Sequence, residues 1–186
     1  MAEEFDEAVR KPLLAYVPEW IHPNHVSILR SVLLWPLYLA RSNPIAAIGI
    51  VLFSSICDLL DGPLARLRGI TSQIGAVLDA TSDKIFTNGT LFLVCPERVH
   101  EPTRWTVLIL DVILTIARPI KAHFGVKTDA NKWGAAKVWG YTIGIIFALS
   151  GDPSMEIWVQ PTFLIAIFFA FCSIGGHVTD VLKKRA

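Results

Sequence analysis

Cysteine, net charge and long unbroken apolar runs are all scarce in this chain. The 186 residues hold three cysteines, Cys57, Cys95 and Cys172. An odd number scattered through apolar stretches supplies neither a disulfide framework nor zinc-ligand spacing. Each reads as a small core residue. The formal net charge is +1, which argues against a nucleic-acid partner, since that needs a strongly basic face. The chain opens on Glu3, Glu4, Asp6 and Glu7 rather than a basic region, so no cleavable signal peptide is expected. No internal repeat or low-complexity tract is apparent. Several apolar stretches fall short of the roughly 20 residues that a straight membrane span prefers.

What is present is nevertheless membrane-like. Hydrophobic residues make up 53% of the chain, and the mean hydropathy is +0.50, more apolar than an ordinary soluble domain. The length allows one domain. Six apolar segments are expected, at Val26–Ala40, Pro44–Leu60, Gly75–Cys95, Trp105–Lys121, Trp133–Ser150 and Trp158–Val181. They can span if their ends extend into the interface or the bilayer thins. The predicted fold is therefore all-α: six transmembrane helices over residues 23–186. Residues 1–22 read as an amphipathic interfacial segment, with Phe5, Val9, Leu13 and Leu14 at near-helical spacing; Pro12 and Pro18 argue against one continuous helix there. With the N-terminus in the cytoplasm, all but three of the 17 lysines and arginines fall on the cytoplasmic side, the exceptions being Arg41, Arg98 and Arg104. Trp105, Trp133, Trp139 and Trp158 fit interface belts.

Against that background, one run stands out: Asp58-Leu-Leu-Asp61-Gly62-Pro-Leu-Ala65-Arg66, then Gly75-x-x-x-Asp79-x-x-x-Asp83. One aspartate at the centre of a membrane helix costs roughly 3 kcal/mol on insertion scales. Two bare carboxylates about 4 Å apart repel by roughly 4 kcal/mol at an effective dielectric near 20. Four together need a compensating cation. No His or Cys joins the spacing, so the oxygen-only set suits Mg²⁺, Mn²⁺ or Ca²⁺ better than zinc. Asp58 and Asp61 share one helix face, as do Asp79 and Asp83. Two such faces can close round a two-metal site that binds a pyrophosphate. Arg66 offers a fork of donors to phosphate oxygens. Gly62 and Ala65 remove bulk where a nucleotide would approach the backbone.

At every fixed position this run resembles the signature of the CDP-alcohol phosphotransferases, D-x2-D-G-x2-A-R-x8-G-x3-D-x3-D. The resemblance implies an integral membrane enzyme that moves a substituted phosphate from a CDP-linked donor to an alcohol and releases CMP. It implies Asp58, Asp61, Asp79 and Asp83 as ligands of two divalent ions, Mg²⁺ or Mn²⁺, with Asp83 also the candidate general base. It implies donor contacts from Asp61, Gly62, Ala65, Arg66 and Gly75. His22-Pro23-Asn24-His25-Val26-Ser27 is similar to the element that opens the first span in the same family, which adds Asn24 to the donor site; Asn24 or Ser27 acting only as a helix cap is the alternative. The expected partners are CDP-diacylglycerol, a phosphorylated small alcohol and membrane lipid, with a homodimer left open.

The acceptor is the least defined part. Arg118, Lys121, Lys132 and Lys137 gather at the cytoplasmic ends of the fourth and fifth spans. They form either a pocket for an anionic acceptor or a positive-inside anchor. Lys132-Trp-Gly134-x-x-Lys137 is similar to the start of the fifth span in phosphatidylglycerophosphate synthases, which makes glycerol 3-phosphate the first expectation and inositol phosphate the second. The Arg-Glu pair usual in that group's fourth span is replaced here by Arg118-Pro119, where a bend is expected. Asp111, midway along the fourth span, is either a second site residue or a group near the outer face. A secondary transporter or cation channel is the rival class. It would spread its charges along a path and show paired repeats, whereas these aspartates cluster on two consecutive spans.

Overall fold

The computed structural model describes residues 22–70, 73–123 and 132–185. Among these residues every regular element is helical, as expected. Helix α1 (Pro23–Val32) leads into α2 (Leu34–Leu39). Then come α3 (Pro44–Leu67) and α4 (Gln73–Gly89), the latter continued by a π-helical stretch at Thr90–Val94. Helices α5 (Glu101–His123), α6 (Lys132–Ser150) and α7 (Pro153–Arg185) complete the chain. Taking α1 with α2 as one rod, and α4 with its π stretch as another, gives six rods at the six expected positions. The expected interfacial segment over residues 1–22 lies outside the described residues except for His22.

Local chemistry explains where the rods begin, break and end. The first starts earlier than its apolar run, because Pro23 occupies the first turn, where a missing N–H costs nothing. Neither Asn24 nor Ser27 sits at the cap position expected for them. His22 holds it, and the Ser27 hydroxyl donates instead to the Pro23 carbonyl at 3.3 Å. The break at Leu33 follows from Pro36, which has no N–H for the Val32 carbonyl. The second rod continues to Leu67, past the expected end at Leu60, so the signature residues from Asp58 to Arg66 are all helical. Gly69, with φ +64°, terminates it, and the Ile70 N–H closes on the Ala65 carbonyl at 3.1 Å. Helix α5 runs through Pro119 to His123 without interruption. Helix α7 begins at Pro153, before the expected Trp158. There the Asp152 carboxylate accepts the Ser154 N–H at 2.8 Å. That bond holds the Asp152 carboxyl below its ordinary pKa.

Packing brings α1 against α3 and α4, α3 against α6, and α5 against α7. The closest pair is α6 and α7. A Cβ on Gly140 would lie 2.7 Å from the Ala166 Cβ, and one on Gly144 would lie 2.8 Å from the Phe163 ring. Small residues four apart let these two backbones approach. The core between the rods includes Leu37, Val51, Phe86, Leu91, Val107, Tyr141, Ile145 and Phe163. Among the described residues, one helix, Pro153–Gly176, is long and apolar enough by itself to cross a membrane, and Pro44–Leu60 is a shorter apolar stretch. Elsewhere, the break at Leu33 and the charged residues within the rods interrupt the apolar runs.

Candidate active site

Three rods deliver one charged cluster. Asp58 comes from α3, and Asp79 and Asp83 from consecutive turns of α4. Their carboxylates meet round the guanidinium of Arg30, which reaches in from α1. Arg30 Nη1 lies 2.5 Å from Asp58 Oδ1 and 3.2 Å from Asp79 Oδ1. Arg30 Nη2 lies 2.8 Å from Asp83 Oδ1, and Lys84 Nζ lies 3.3 Å from Asp83 Oδ2. The arginine is buried at 3% exposure, while the Asp58 and Asp79 side chains are 31% and 40% exposed. The cation is thus enclosed, and the carboxylates open toward a cavity.

Arg30 is the residue that sequence reasoning missed, having been counted only among the cytoplasmic charges. The signal was available: an arginine inside an apolar helix marks a site by default, and its partner should then be sought. Its role is electrostatic. Three carboxylates this close repel one another, and a guanidinium fork can bond several of their oxygens at once.

Other signature positions fall on the same two helices. Asp61 follows Asp58 by one turn of α3, with Gly62, Ala65 and Arg66 beyond it, and Gly75 precedes Asp79 by one turn of α4. The side chains of Asp61 and Arg66 lie outside the described ones, as do those of Arg118 and Lys121 and the surroundings of Gly62. Asn24 is exposed in the first turn of α1, and Lys132 is exposed at the start of α6.

A second polar cluster lies deeper. Asp111, 2% exposed, accepts Lys137 Nζ at 2.7 Å on Oδ1 and Asn88 Nδ2 at 3.1 Å on Oδ2. This places Asp111 in the packed interior rather than at the outer face. A cavity of about 310 Å³ joins the two regions; Arg30, Asp58, Asp79, Asp83, Lys137 and Tyr141 all line it. That volume is at the small end of ligand pockets.

The donor set suits a hard divalent ion. Three carboxylates already converge on one positive group, and every atom they offer is oxygen. Among the described residues, no group of three acidic, His or Cys side chains surrounds a common point as metal ligands do. The described carboxylates surround the guanidinium instead.

Residues 20–173 match the profile of the CDP-alcohol phosphatidyltransferases, a family that generally uses a divalent metal. The chain is 24% identical to the CDP-diacylglycerol–glycerol-3-phosphate 3-phosphatidyltransferase of Pseudomonas fluorescens, over 84% of this chain and 83% of that one. It is 26% identical to the Bacillus subtilis enzyme of the same name, over 72% and 73% of the two chains. It is also 30% identical to the CDP-diacylglycerol–inositol 3-phosphatidyltransferase of Saccharomyces cerevisiae, over 56% of this chain and 45% of that one. With the eight-position signature on α3 and α4 and the profile running through most of the chain, the protein belongs to the CDP-alcohol phosphatidyltransferase family and is an enzyme of phosphatidyl transfer in phospholipid synthesis.

Proposed function

We propose that this chain is a six-span membrane enzyme that transfers a phosphatidyl group from CDP-diacylglycerol to glycerol 3-phosphate and releases CMP. The observation that carries the reading is the convergence of Asp58, Asp79 and Asp83 on a cavity whose wall also holds Lys137. An anionic acceptor needs a cation at some distance from the carboxylates that serve the donor, and Lys137 supplies one. The relatives from Pseudomonas fluorescens and Bacillus subtilis, both named for glycerol 3-phosphate, support that acceptor.

Six spans are supported by the outer surface. Trp35 and Leu39, Ile45 and Phe53, Ile85 and Leu93, Ile109 and Ile116, Trp139 and Ile143, and Leu164 and Phe168 are exposed pairs, one on each rod. A water-soluble bundle rarely exposes so much apolar surface. Trp105 and Trp158, half-exposed near the starts of α5 and α7, suit one interface, and Trp133 at the start of α6 suits the other. The lysine and arginine distribution turns the aspartate end toward the cytoplasm.

In this reading Asp58, Asp61, Asp79 and Asp83 hold two Mg²⁺ or Mn²⁺ ions. Bound there, the ions supply positive charge to the donor pyrophosphate and its leaving oxygen. Arg66 holds a donor phosphate, and Gly62, Ala65 and Gly75 let the nucleotide lie against the helices, with Asn24 at the mouth. Arg118, Lys121, Lys132 and Lys137 bind the phosphate of the acceptor. Asp83 takes the proton of the acceptor hydroxyl. The hydroxyl oxygen bonds to the β-phosphorus, the bond from that phosphorus to the bridging oxygen breaks, and CMP leaves with the electron pair. Arg30 and Lys84 each fix one Asp83 oxygen during this step.

The test is CMP release by purified protein from CDP-diacylglycerol, with Mg²⁺ or Mn²⁺ and a panel of glycerol 3-phosphate, inositol phosphate, inositol and glycerol. Glycerol 3-phosphate should be used and free glycerol should not. Arg118→Ala should raise the acceptor KM by roughly ten- to a hundred-fold, the worth of a charge-assisted contact, with donor binding nearly intact. Robust turnover of an uncharged alcohol, unaffected by Arg118→Ala, would move the enzyme to another branch of the family.

A further inference from the structure

We infer that Asp111, braced by Asn88, is a positioning residue: it holds the Lys137 ammonium at the cavity wall for the phosphate of an anionic acceptor. The inference rests on the proposed acceptor chemistry and goes beyond it, because neither Asp111 nor Asn88 lies in the signature or in the expected acceptor cluster.

The geometry is a three-rod brace. Asp111 on α5 uses both carboxylate oxygens, one for Lys137 on α6 and one for Asn88 on α4. Asn88 Nδ2 is itself 3.1 Å from the Lys84 carbonyl, one turn back on α4. Lys137 lines the cavity, and Asp111 is not among the lining residues. The carboxylate therefore stands behind the ammonium and not beside the ligand. Lysine is a point charge on a flexible four-carbon stem. A carboxylate on a second rod, its other oxygen held by Asn88 on a third, limits that freedom and leaves ammonium hydrogens for a ligand.

Stability alone is a poor reason to keep this pair. A buried ion pair is often matched or bettered by apolar residues of similar volume, and this one sits where a polar group is expensive. A second observation points to a ligand. Tyr141, one turn beyond Lys137, lines the same cavity, is 3% exposed, and has a buried hydroxyl with no hydrogen-bond partner among the described residues. Native proteins rarely leave such a group unsatisfied. A phosphate oxygen beside Lys137 would accept from both. The carboxylates at the other part of the cavity repel such an anion, so a fixed cation decides where it can rest.

Steady-state kinetics of the full chain in detergent micelles test this, with wild type, Asp111→Asn, Asp111→Glu, Lys137→Met, the double variant Asp111→Asn with Lys137→Met, and the milder Asn88→Ala. Wild-type turnover of glycerol 3-phosphate decides the proposed function separately, before any variant is compared. Asp111→Asn should raise the KM for glycerol 3-phosphate about ten-fold or more and leave the KM for CDP-diacylglycerol within about two-fold. Asp111→Glu should recover most of the loss, and Asn88→Ala should show a smaller rise of the same kind. The double variant should be no worse than Lys137→Met, because the carboxylate acts only through the ammonium. Three results overturn the inference: an unchanged acceptor KM in a folded Asp111→Asn protein; equal losses for both substrates with no recovery by Asp111→Glu; or additive losses in the double variant. Should Asp111→Asn fail to fold, Asn88→Ala and Lys137→Met decide by the same acceptor-against-donor split.

Discussion

The two ionic clusters differ in balance. Round Arg30, three carboxylates share one guanidinium, with Lys84 at the edge, and two of the three, Asp58 and Asp79, are 31% and 40% exposed. Round Asp111, one carboxylate meets one ammonium and one amide, and all are buried. The first cluster keeps an excess of negative charge facing open space, and the second is neutral and closed. A cluster with surplus carboxylates can take up further positive charge. A neutral one, with its carboxylate oxygens already bonded to Lys137 and Asn88, holds its members in place. On the proposed reading, the first region is where divalent ions would act, and the second is where a side chain is fixed.

The largest expected effect comes from reducing the surplus. Asp58→Asn or Asp79→Asn keeps the shape and removes one charge from the open cluster. Turnover should fall to background, and divalent-dependent binding of CDP-diacylglycerol should fall with it. Substantial activity of either variant at ordinary metal concentrations would end the contrast, because the open cluster would then be no metal site.

Next comes Arg30→Gln, which takes away the shared cation. Removing one member of a buried ion cluster costs roughly 3–5 kcal/mol when the pair is fully buried. Here the cost should be smaller, because Asp58 and Asp79 see solvent. The melting temperature should drop in chelator, and Mg²⁺ should restore more of it than it adds to the wild type, since an added cation relieves the same repulsion. Equal Mg²⁺ responses in the two proteins would show that the guanidinium and the ion do not draw on the same carboxylates.

A third change touches the closed cluster through packing. Gly140 lies one turn beyond Lys137 and against Ala166 of α7. Gly140→Leu must push the two rods apart, an overpacking cost of about 1–3 kcal/mol. The acceptor KM should rise more than the donor KM, because Lys137 travels with α6 while Asp58 and Asp79 stay on α3 and α4. Equal kinetic losses for both substrates would show that the two regions are not mechanically separate.

The same contrast marks what could be read from the sequence. Spacing rules see neighbours three and four residues apart, and so they paired Asp79 with Asp83 and put Asp58 and Asp61 on one face. They cannot see a partner 28 residues away, and so Arg30 counted only as a charge on the cytoplasmic side. Lys137 was recognised as a cation near the site, but Asp111 is 26 residues from it, and their bond depends on how α5 and α6 face each other. Apolar runs located all six rods and misjudged several ends. The second rod continues beyond Leu60, with its Asp58 paired to a cation on another helix, and it stops where Gly69 can adopt a positive φ. The last begins at Pro153 because Asp152 caps it. Backbone chemistry, rather than hydropathy, sets those limits.

The smallest expected effect lies away from both clusters and serves as their control. Asp152 stands at the start of α7, at the end of the bundle opposite the aspartates, fully exposed, with its carboxylate bonded to the Ser154 N–H at 2.8 Å. Its pKa is lowered in the folded protein by that bond, so the charged form is the one that folding favours. The contribution is therefore present above the ordinary aspartate value of about 3.9 and is lost as pH falls through the lower folded value. Asp152→Ala should lower the melting temperature slightly at neutral pH, and the gap to wild type should close at the acid end of that range. Asp152→Asn should keep much of the cap, because an amide oxygen can also accept the Ser154 N–H. Neither variant should change the KM for donor or acceptor. A kinetic change in Asp152→Ala as large as that in Gly140→Leu would mean that loosening the bundle anywhere disturbs the cavity, and that the division into an open metal region and a closed positioning region has no functional meaning.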